Sequence, residues 1–314
     1  AIIYYKKANR MRRDNPIVGA PGHLNHPDMF RPNGVAAMAL KGRILLYAAS
    51  PLNNELGVSE WQDAAVANWE AIQSALQNGY ALLTKDNYKL NYVGNNYTNE
   101  QLWGYTEGPQ GYGKEELGFL INGVFSNSKG GNCGCSPTQN LIDRFETQWG
   151  DPLNTSDDRN AATALGHYNE QDPYTNRDPR FYVDIIYNQA PIPAYNTAQI
   201  WFEMVGGKTV YSQLLNPDYQ GITHTGYYNN KLWGGQSVLN NTAPIHTDPI
   251  IRLAELYLNY AEAANEAYGP NTPAPGASLT AVQAINLIRD RIGMAPVQDK
   301  FTASKEDFRP RIKN

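Results

Sequence analysis

The sequence predicts a mainly α fold: helix hairpins carrying a long loop-rich insertion with a few short strands. Three observations predict it. Apolar and small residues recur at spacings of three and four towards both ends of the chain, at Trp61, Ala65, Trp69 and Ile72 and again at Leu253, Tyr257, Tyr260, Ala261 and Ala264. Between Asp86 and Thr247 the texture changes to crowded Asn, Gly, Tyr, Pro and Asp, and no helical stripe lasts long. The longest apolar passage, Val35 to Ala49, is broken by Lys41 and Arg43, so no transmembrane helix is expected.

The first helix is expected from about Asn33 to Ala49, supported by the apolar positions Val35, Met38, Ala39, Leu45 and Tyr47 and ended by Ser50-Pro51. Ser59 and Gln62 form a capping-box signature for the next, whose stripe runs through Trp61, Trp69 and Leu76 to a stop at Gly79. In the middle, Pro137 to Phe145 reads as a short helix behind a proline. Phe181 to Tyr187 alternates and is rich in β-branched and aromatic residues, which predicts a strand. Near the end, Asp248 as N-cap and Pro249 at the first helical position open a helix that Gly269-Pro270 terminates. Thr280 and Gln283 stand in capping-box register before a stripe of Val282, Ile285, Ile288 and Ile292, with Gly293 at the left-handed end position. Two such helices joined by a Pro/Gly-rich loop make an antiparallel hairpin. Its Ala-rich seam lets backbones approach closely, as in tetratricopeptide repeats.

A hairpin of this kind cannot bury its apolar face alone, so the two are expected to pack on each other or on helices outside the sequence. The expected organisation is an N-terminal helical (tetratricopeptide-like) part over 1–85, an irregular ligand-facing part over 86–247 and a C-terminal hairpin over 248–314. A loop-dominated segment of that length is functional or disordered, and its Trp and Tyr content argues for function.

Charge narrows the partners. The chain carries 26 Lys+Arg against 30 Asp+Glu, a net charge of −4, with no long basic run, so a nucleic-acid partner is not expected. Only 18% of residues are charged, while 21 Tyr, 27 Gly and many Asn give a surface of amides, phenols and loops. Such groups suit neutral, hydroxyl-rich partners such as sugars, although Asn and Gly also populate turns. Cys133 and Cys135 are the only cysteines, one residue apart. They read as incidental thiols or a local disulfide, because a metal site needs further ligands. Ala1 without Met and a close on Arg311-Ile312-Lys313-Asn314 read as cuts through a longer protein.

Four passages, in order along the chain, resemble the SusD/RagB family of nutrient-binding outer-membrane lipoproteins. They are Val35 to Asn53; Pro137 to Asp143; Asn176-Arg177-Asp178-Pro179-Arg180-Phe181-Tyr182 running into Ile185-Ile186-Tyr187; and Arg252 to Ala263 followed by Ile285 to Arg289. The resemblance implies tetratricopeptide-like helix pairs with long irregular loops. It further implies surface binding of oligosaccharide, or of peptide, beside a SusC-like TonB-dependent transporter. A lipid anchor is implied too, with its signal and lipid-bearing Cys absent from this chain. An intracellular tetratricopeptide scaffold would instead need helix pairs at constant period, which the long insertion contradicts.

No catalytic constellation, cofactor or metal site is expected. Asp157-Asp158 sits in what reads as a polar turn, and adjacent carboxylates cannot flank one glycosidic bond. His23 and His26 are three apart beside Asp28, but Pro21, Gly22 and Pro27 argue against a helix that would aim both at a metal. Asn176 to Arg180 reads as a structural corner, with Asp178 closing an Asx-turn and the arginines paired to carboxylates or carbonyls. Ligand binding then falls to aromatic rings, since a pyranose stacks its C–H face on an indole or phenol. The candidates are Trp103, Tyr105, Tyr112, Trp149, Trp201, Tyr227, Tyr228 and Trp233, with Trp201 and Trp233 preferred for their Gly/Asn-rich surroundings. Trp61 and Trp69 belong to a helix stripe and read as core.

Overall fold

Small side chains set the spacing between helices here, and one glycine marks the tightest approach. The computed structural model describes residues 32–93, 98–107, 136–192, 196–212, 214–218, 222–231 and 246–314. In chain order the elements begin with α1 (Gly34–Ala48), α2 (Val58–Gln77), a 3-10 turn (Lys85–Asn91) and β1 (Gln101–Glu107). Then come α3 (Gln139–Arg144), α4 (Ser156–Ala164), α5 (Pro179–Asp184) and the short strands β2 (Ile185–Ile186), β3 (Pro191–Ile192) and β4 (Asn196–Thr197). A ribbon of β5 (Phe202–Val205) and β6 (Lys208–Tyr211) precedes β7 (Tyr228–Asn229). The chain closes with β8 (His246–Arg252), α6 (Leu253–Tyr268), α7 (Ala281–Asp290) and α8 (Lys305–Lys313). None of these helices is long and apolar enough to cross a membrane.

The described chain divides into two units. One joins the residues up to Asn91 with 98–105 and 248–314; the other holds Tyr92 and Val93 with the described residues of 106–247. In the helical unit, α2 packs on both α1 and α6, and α7 and α8 pack on α6, so the two hairpins do bury each other. Alanines line the seam: Ala64, Ala65, Ala71 and Ala75 of α2 and Ala254, Ala261 and Ala264 of α6 are all buried. Asn68 is buried as well and donates its amide to Gly42 O at 3.1 Å and Ala64 O at 2.9 Å. A Cβ on Gly42 would stand 2.5 Å from Asn68 Oδ1, so only glycine fits that crossing. Trp69 is core, its indole N–H given to Gly276 O at 2.9 Å and its ring tilted against Tyr260.

One buried carboxylate ties β1 to the last helices. Glu100 accepts from Arg252 Nη1 at 2.7 Å, from Arg291 Nη1 at 2.8 Å, from Asn91 Nδ2 at 3.0 Å and from Leu83 N at 3.1 Å. Burial alone would raise its pKa, but the Arg291 and Arg252 charges outweigh that and hold the carboxyl below its ordinary range.

Four sequence expectations are corrected. Asp248-Pro249 does not cap a helix: the segment is β8, paired with β1, and α6 begins at Leu253 behind Arg252. Pairing with a distant strand wins over the local cap signal, and Leu253 N–H continues onto Glu100 O at 2.8 Å. Phe181–Tyr187 is mostly not a strand, because Asp178 caps α5 with Pro179 at its first position, leaving only Ile185–Ile186 to pair with β7. α2 starts two residues earlier than its capping-box signature implies, at Val58 behind Gly57, with no side-chain cap; Ser59 donates to Leu56 O instead. Asp157-Asp158 lies in the first turn of α4, where Thr155 and Asp158 form a reciprocal capping box.

The other elements follow their signals. Thr138 caps α3, Thr280 and Gln283 form the capping box of α7, and Gly269 and Gly293 adopt positive φ behind their helices. Ser304 caps α8, which the sequence reading did not anticipate. In the second unit, Gly206 and Gly207 both take positive φ between β5 and β6, the conformation that a two-residue hairpin turn requires. Its apolar side chains form two small clusters. One is built on Ile186, Ile192, Ala198, Ile200 and Tyr228, the other on Ile142, Phe181, Ile185 and Tyr227.

Candidate ligand-binding site

The corner Asn176 to Arg180 organises a concavity in the second unit. Asp178 is fully buried, accepts from Arg180 N at 2.8 Å and pairs with the Arg180 guanidinium. Arg177 is buried too. Its guanidinium donates to Ile142 O at 2.7 Å, Phe145 O at 2.8 Å and Pro173 O at 2.8 Å, and lies over the Phe181 ring. Burial lowers the Arg177 pKa, yet the carbonyls at the C-terminal end of α3 suit a cation. Both arginines are therefore paired to carbonyls or a carboxylate, as the sequence reading expected: Arg177 ties the Pro173 segment to α3, and Arg180 holds the Asp178 carboxylate at the start of α5.

On that corner stands a wall of phenols. Tyr187 packs 4.9 Å from Phe181 and 4.7 Å from Tyr174 between ring centroids, and Tyr182 closes the group at 6.0 Å from Tyr187. Tyr182 donates its hydroxyl to Tyr174 O at 2.7 Å and accepts from Arg177 N at 3.0 Å, so its ring is fixed by the same corner. These three tyrosines, with Gln171, Asp172, Thr175, Asn176, Asn188 and Gln189, line a cavity of about 590 Å³. That size is within the usual range for small-molecule sites. Among the described residues the Tyr187 hydroxyl has no hydrogen-bond partner in the protein. Burial raises its pKa, so it stays protonated and able to donate.

The backbone bears a further mark. Asn176 (φ 59) and Gln189 (φ 69) are the two non-glycine residues with positive φ among the described residues, and both line this cavity. That conformation costs an L-residue roughly 1–2 kcal/mol, less for Asn than for Gln. Asn176 is held there by Gln148, whose N–H donates to Asn176 O at 2.7 Å and whose side chain reaches Asn176 Oδ1 at 3.2 Å. Residues kept in unfavourable conformations cluster at ligand sites, where surrounding contacts over-determine them.

A family comparison decides the chain's kinship: the sequence model of the SusD family matches residues 91–314. The chain belongs to the SusD family. Solved structures agree at the level of fold. A SusD-like protein of Bacteroides fragilis superposes with a TM-score of 0.63 at 23% identity, covering 98% of this chain and 54% of that one. A SusD-like carbohydrate-binding protein, also of Bacteroides fragilis, gives 0.58 at 19% identity over 98% and 53% of the two chains. A SusD superfamily protein of Parabacteroides distasonis gives 0.54 at 18% identity over 92% and 51%. This SusD-family chain thus spans about half the length of those structures. No curated protein matches it in sequence.

The ring candidates of the SusD-family sequence scatter. Trp103 and Tyr105 lie on β1, and Trp103 packs half-buried against the helical core. Trp149 stacks on His167 at 4.1 Å, with His167 Nδ1 2.7 Å from Asp151 Oδ2. Tyr112 and Trp233 lie outside the described residues, as do His23, His26, Cys133 and Cys135. Tyr227 and Tyr228 are corrected as ligand candidates, since both rings are buried. Tyr228, 1% exposed, donates to Leu214 O and accepts from Thr223 N, so it anchors the core of its unit. Tyr227 donates to Gln139 Oε1 at 2.9 Å and meets Tyr174 edge-on, propping the wall from behind. Trp201 is 36% exposed, lies outside the cavity lining and donates its indole N–H to Gln199 Oε1 at 3.0 Å.

Sequence reasoning missed Tyr174, Tyr182 and Tyr187. In a strand, Tyr182 and Tyr187 would point to opposite faces, being an odd number of residues apart. The helical turn of α5 brings them to one side. Their nearness to the Asn176–Arg180 motif was the available signal.

Proposed function

We propose that this chain is a non-catalytic binding protein of the bacterial cell surface, which holds oligosaccharide for a SusC-like TonB-dependent transporter in the outer membrane. The observation that carries the ligand half is the cavity itself. The exposed phenol of Tyr182 and the half-buried phenols of Tyr174 and Tyr187 suit the C–H faces of a sugar ring, and amides of Asn176, Asn188, Gln189 and Gln171 stand beside them to meet its hydroxyls. Family membership supports the transport half, together with a lipid anchor on the complete protein. A structural relative described as carbohydrate-binding supports the choice of sugar over peptide.

Calorimetry and a glycan array test the ligand half. Binding in the micromolar to millimolar range is expected, because ordering ligand and side chains offsets much of the contact energy. Tyr187→Leu keeps apolar bulk but removes the ring. It should weaken binding roughly three- to tenfold, a stacked ring being worth about 0.5–1.5 kcal/mol. Absence of any glycan binding, or full affinity in a folded Tyr187→Leu protein, would sink the reading. For the transport half, the full-length protein should co-purify from mild detergent with an outer-membrane barrel; recovery without one would refute delivery.

A further inference from the structure

The tyrosine-lined cavity carries charge of one sign only. Among the described residues its lining holds one carboxylate, Asp172, and no lysine, arginine or histidine. The arginines nearest in sequence are committed elsewhere. Arg177 gives its guanidinium to the carbonyls of Ile142, Phe145 and Pro173, and Arg180 gives its own to Asp178. Among the described residues Asp172 has no ion-pair partner.

The carboxylate is nonetheless held in place. Its Oδ2 accepts from Thr175 Oγ1 at 2.6 Å, and the Asp172 backbone N–H donates to Asn169 O at 3.0 Å. It also acts on the wall beside it. Burial raises the Tyr187 pKa most, and the negative charge of Asp172 adds to that rise, so the carboxylate stands within electrostatic reach of the phenol.

Any sugar offers hydroxyls that a carboxylate can accept, but the neighbouring amides and phenols already supply acceptors for them. What Asp172 adds is a fixed negative charge, which repels acidic sugars and attracts an ammonium group. The faces of Tyr174, Tyr182 and Tyr187 favour the same sign, since the quadrupole of an aromatic ring attracts a cation over its face. A carboxylate lacking a counter-charge beside three phenols is thus the chemistry that recognises an amine.

We propose that the cavity selects sugars bearing a protonated amine, with Asp172 as the residue that determines this charge specificity. The ammonium lies between the Asp172 carboxylate and the phenol faces, while ring hydroxyls meet the amides of Asn176, Asn188 and Gln189. The proposal rests on the glycan reading of the cavity and adds to it the charge of the ligand.

The test is calorimetry of the full chain at neutral pH with three β-1,4-linked trimers that differ at C2: cellotriose (hydroxyl), the glucosamine trimer (ammonium) and the N-acetylglucosamine trimer (neutral amide). The glucosamine trimer should bind roughly three- to tenfold more tightly than either neutral trimer, the combined gain of an exposed ion pair and a cation–π contact. That gap should close in Asp172→Asn, which keeps an acceptor for Thr175, and shrink in about 0.5 M sodium chloride, where exposed charges are screened. Equal affinity for the three trimers, or a gap that persists in Asp172→Asn, overturns the charge specificity. Tighter binding of trilysine than of the glucosamine trimer overturns it as well, by making the site one for cationic peptides. If the neutral trimers bind, Tyr187→Leu weakens them and the amine adds nothing, this proposal alone fails. If none of the three trimers binds it also fails, whereas the glycan reading falls only when the glycan array is blank too.

Discussion

Glu100 shows how much one side chain can tie together. It is wholly buried, and its two oxygens collect two arginines, an amide and a backbone N–H. Removing one partner of such a group leaves the others uncompensated, so Glu100→Gln should cost about 3 kcal/mol at neutral pH. The sign of its pH dependence follows from the depressed folded-state pKa. Stability from this group is fully present above the unfolded value of about 4.3 and is lost as the pH falls through the lower folded value. Urea unfolding between pH 7 and pH 3 should show this as an acid slope that Glu100→Gln makes shallower. An unchanged slope would contradict the assignment. Gln189 has the opposite character: its backbone is held in a costly left-handed conformation where it lines the cavity.

Elements obey the same residues differently according to what surrounds them. Asp178-Pro179 opens α5, whereas Asp248-Pro249 lies within β8. The local signal is identical; the difference is that β1 offers the second segment a ladder. Helix crossing is equally specific. Gly42 of α1 sits against Asn68 of α2 with no room for a methyl group, so Gly42→Ala must displace a buried amide that bonds two carbonyls. A loss of about 1–3 kcal/mol is expected, read as a lower urea midpoint with unchanged slope. Stability equal to the natural protein would mean that the crossing is looser than the contact implies.

For the molecule as a whole, the tyrosine-lined cavity is a product of chain path. Residues 171–176 and 182–189 meet only because α5 turns the chain between them. Asp172 is the lone carboxylate in the cavity lining, and its Oδ2 accepts from Thr175 Oγ1 at 2.6 Å. Glycoside hydrolysis needs a pair of carboxyl groups facing one bond. Bound oligosaccharide should therefore be recovered intact, and a reducing-end assay after prolonged incubation should stay at its blank. Steady release of reducing ends would overturn the non-catalytic reading.

What the sequence determined alone was local or repetitive. The capping box at Thr280 and Gln283, the helical stripes with their alanine seam and the structural role of the Asn176–Arg180 corner are all written in spacings of a few residues. Only the tertiary structure decided which rings are open. Tyr227 and Tyr228 look as available in sequence as Tyr182 and Tyr187, yet the first pair is sealed in the core and the second forms the wall. Exposure depends on what packs behind a ring, and that is set by contacts between residues far apart in the chain.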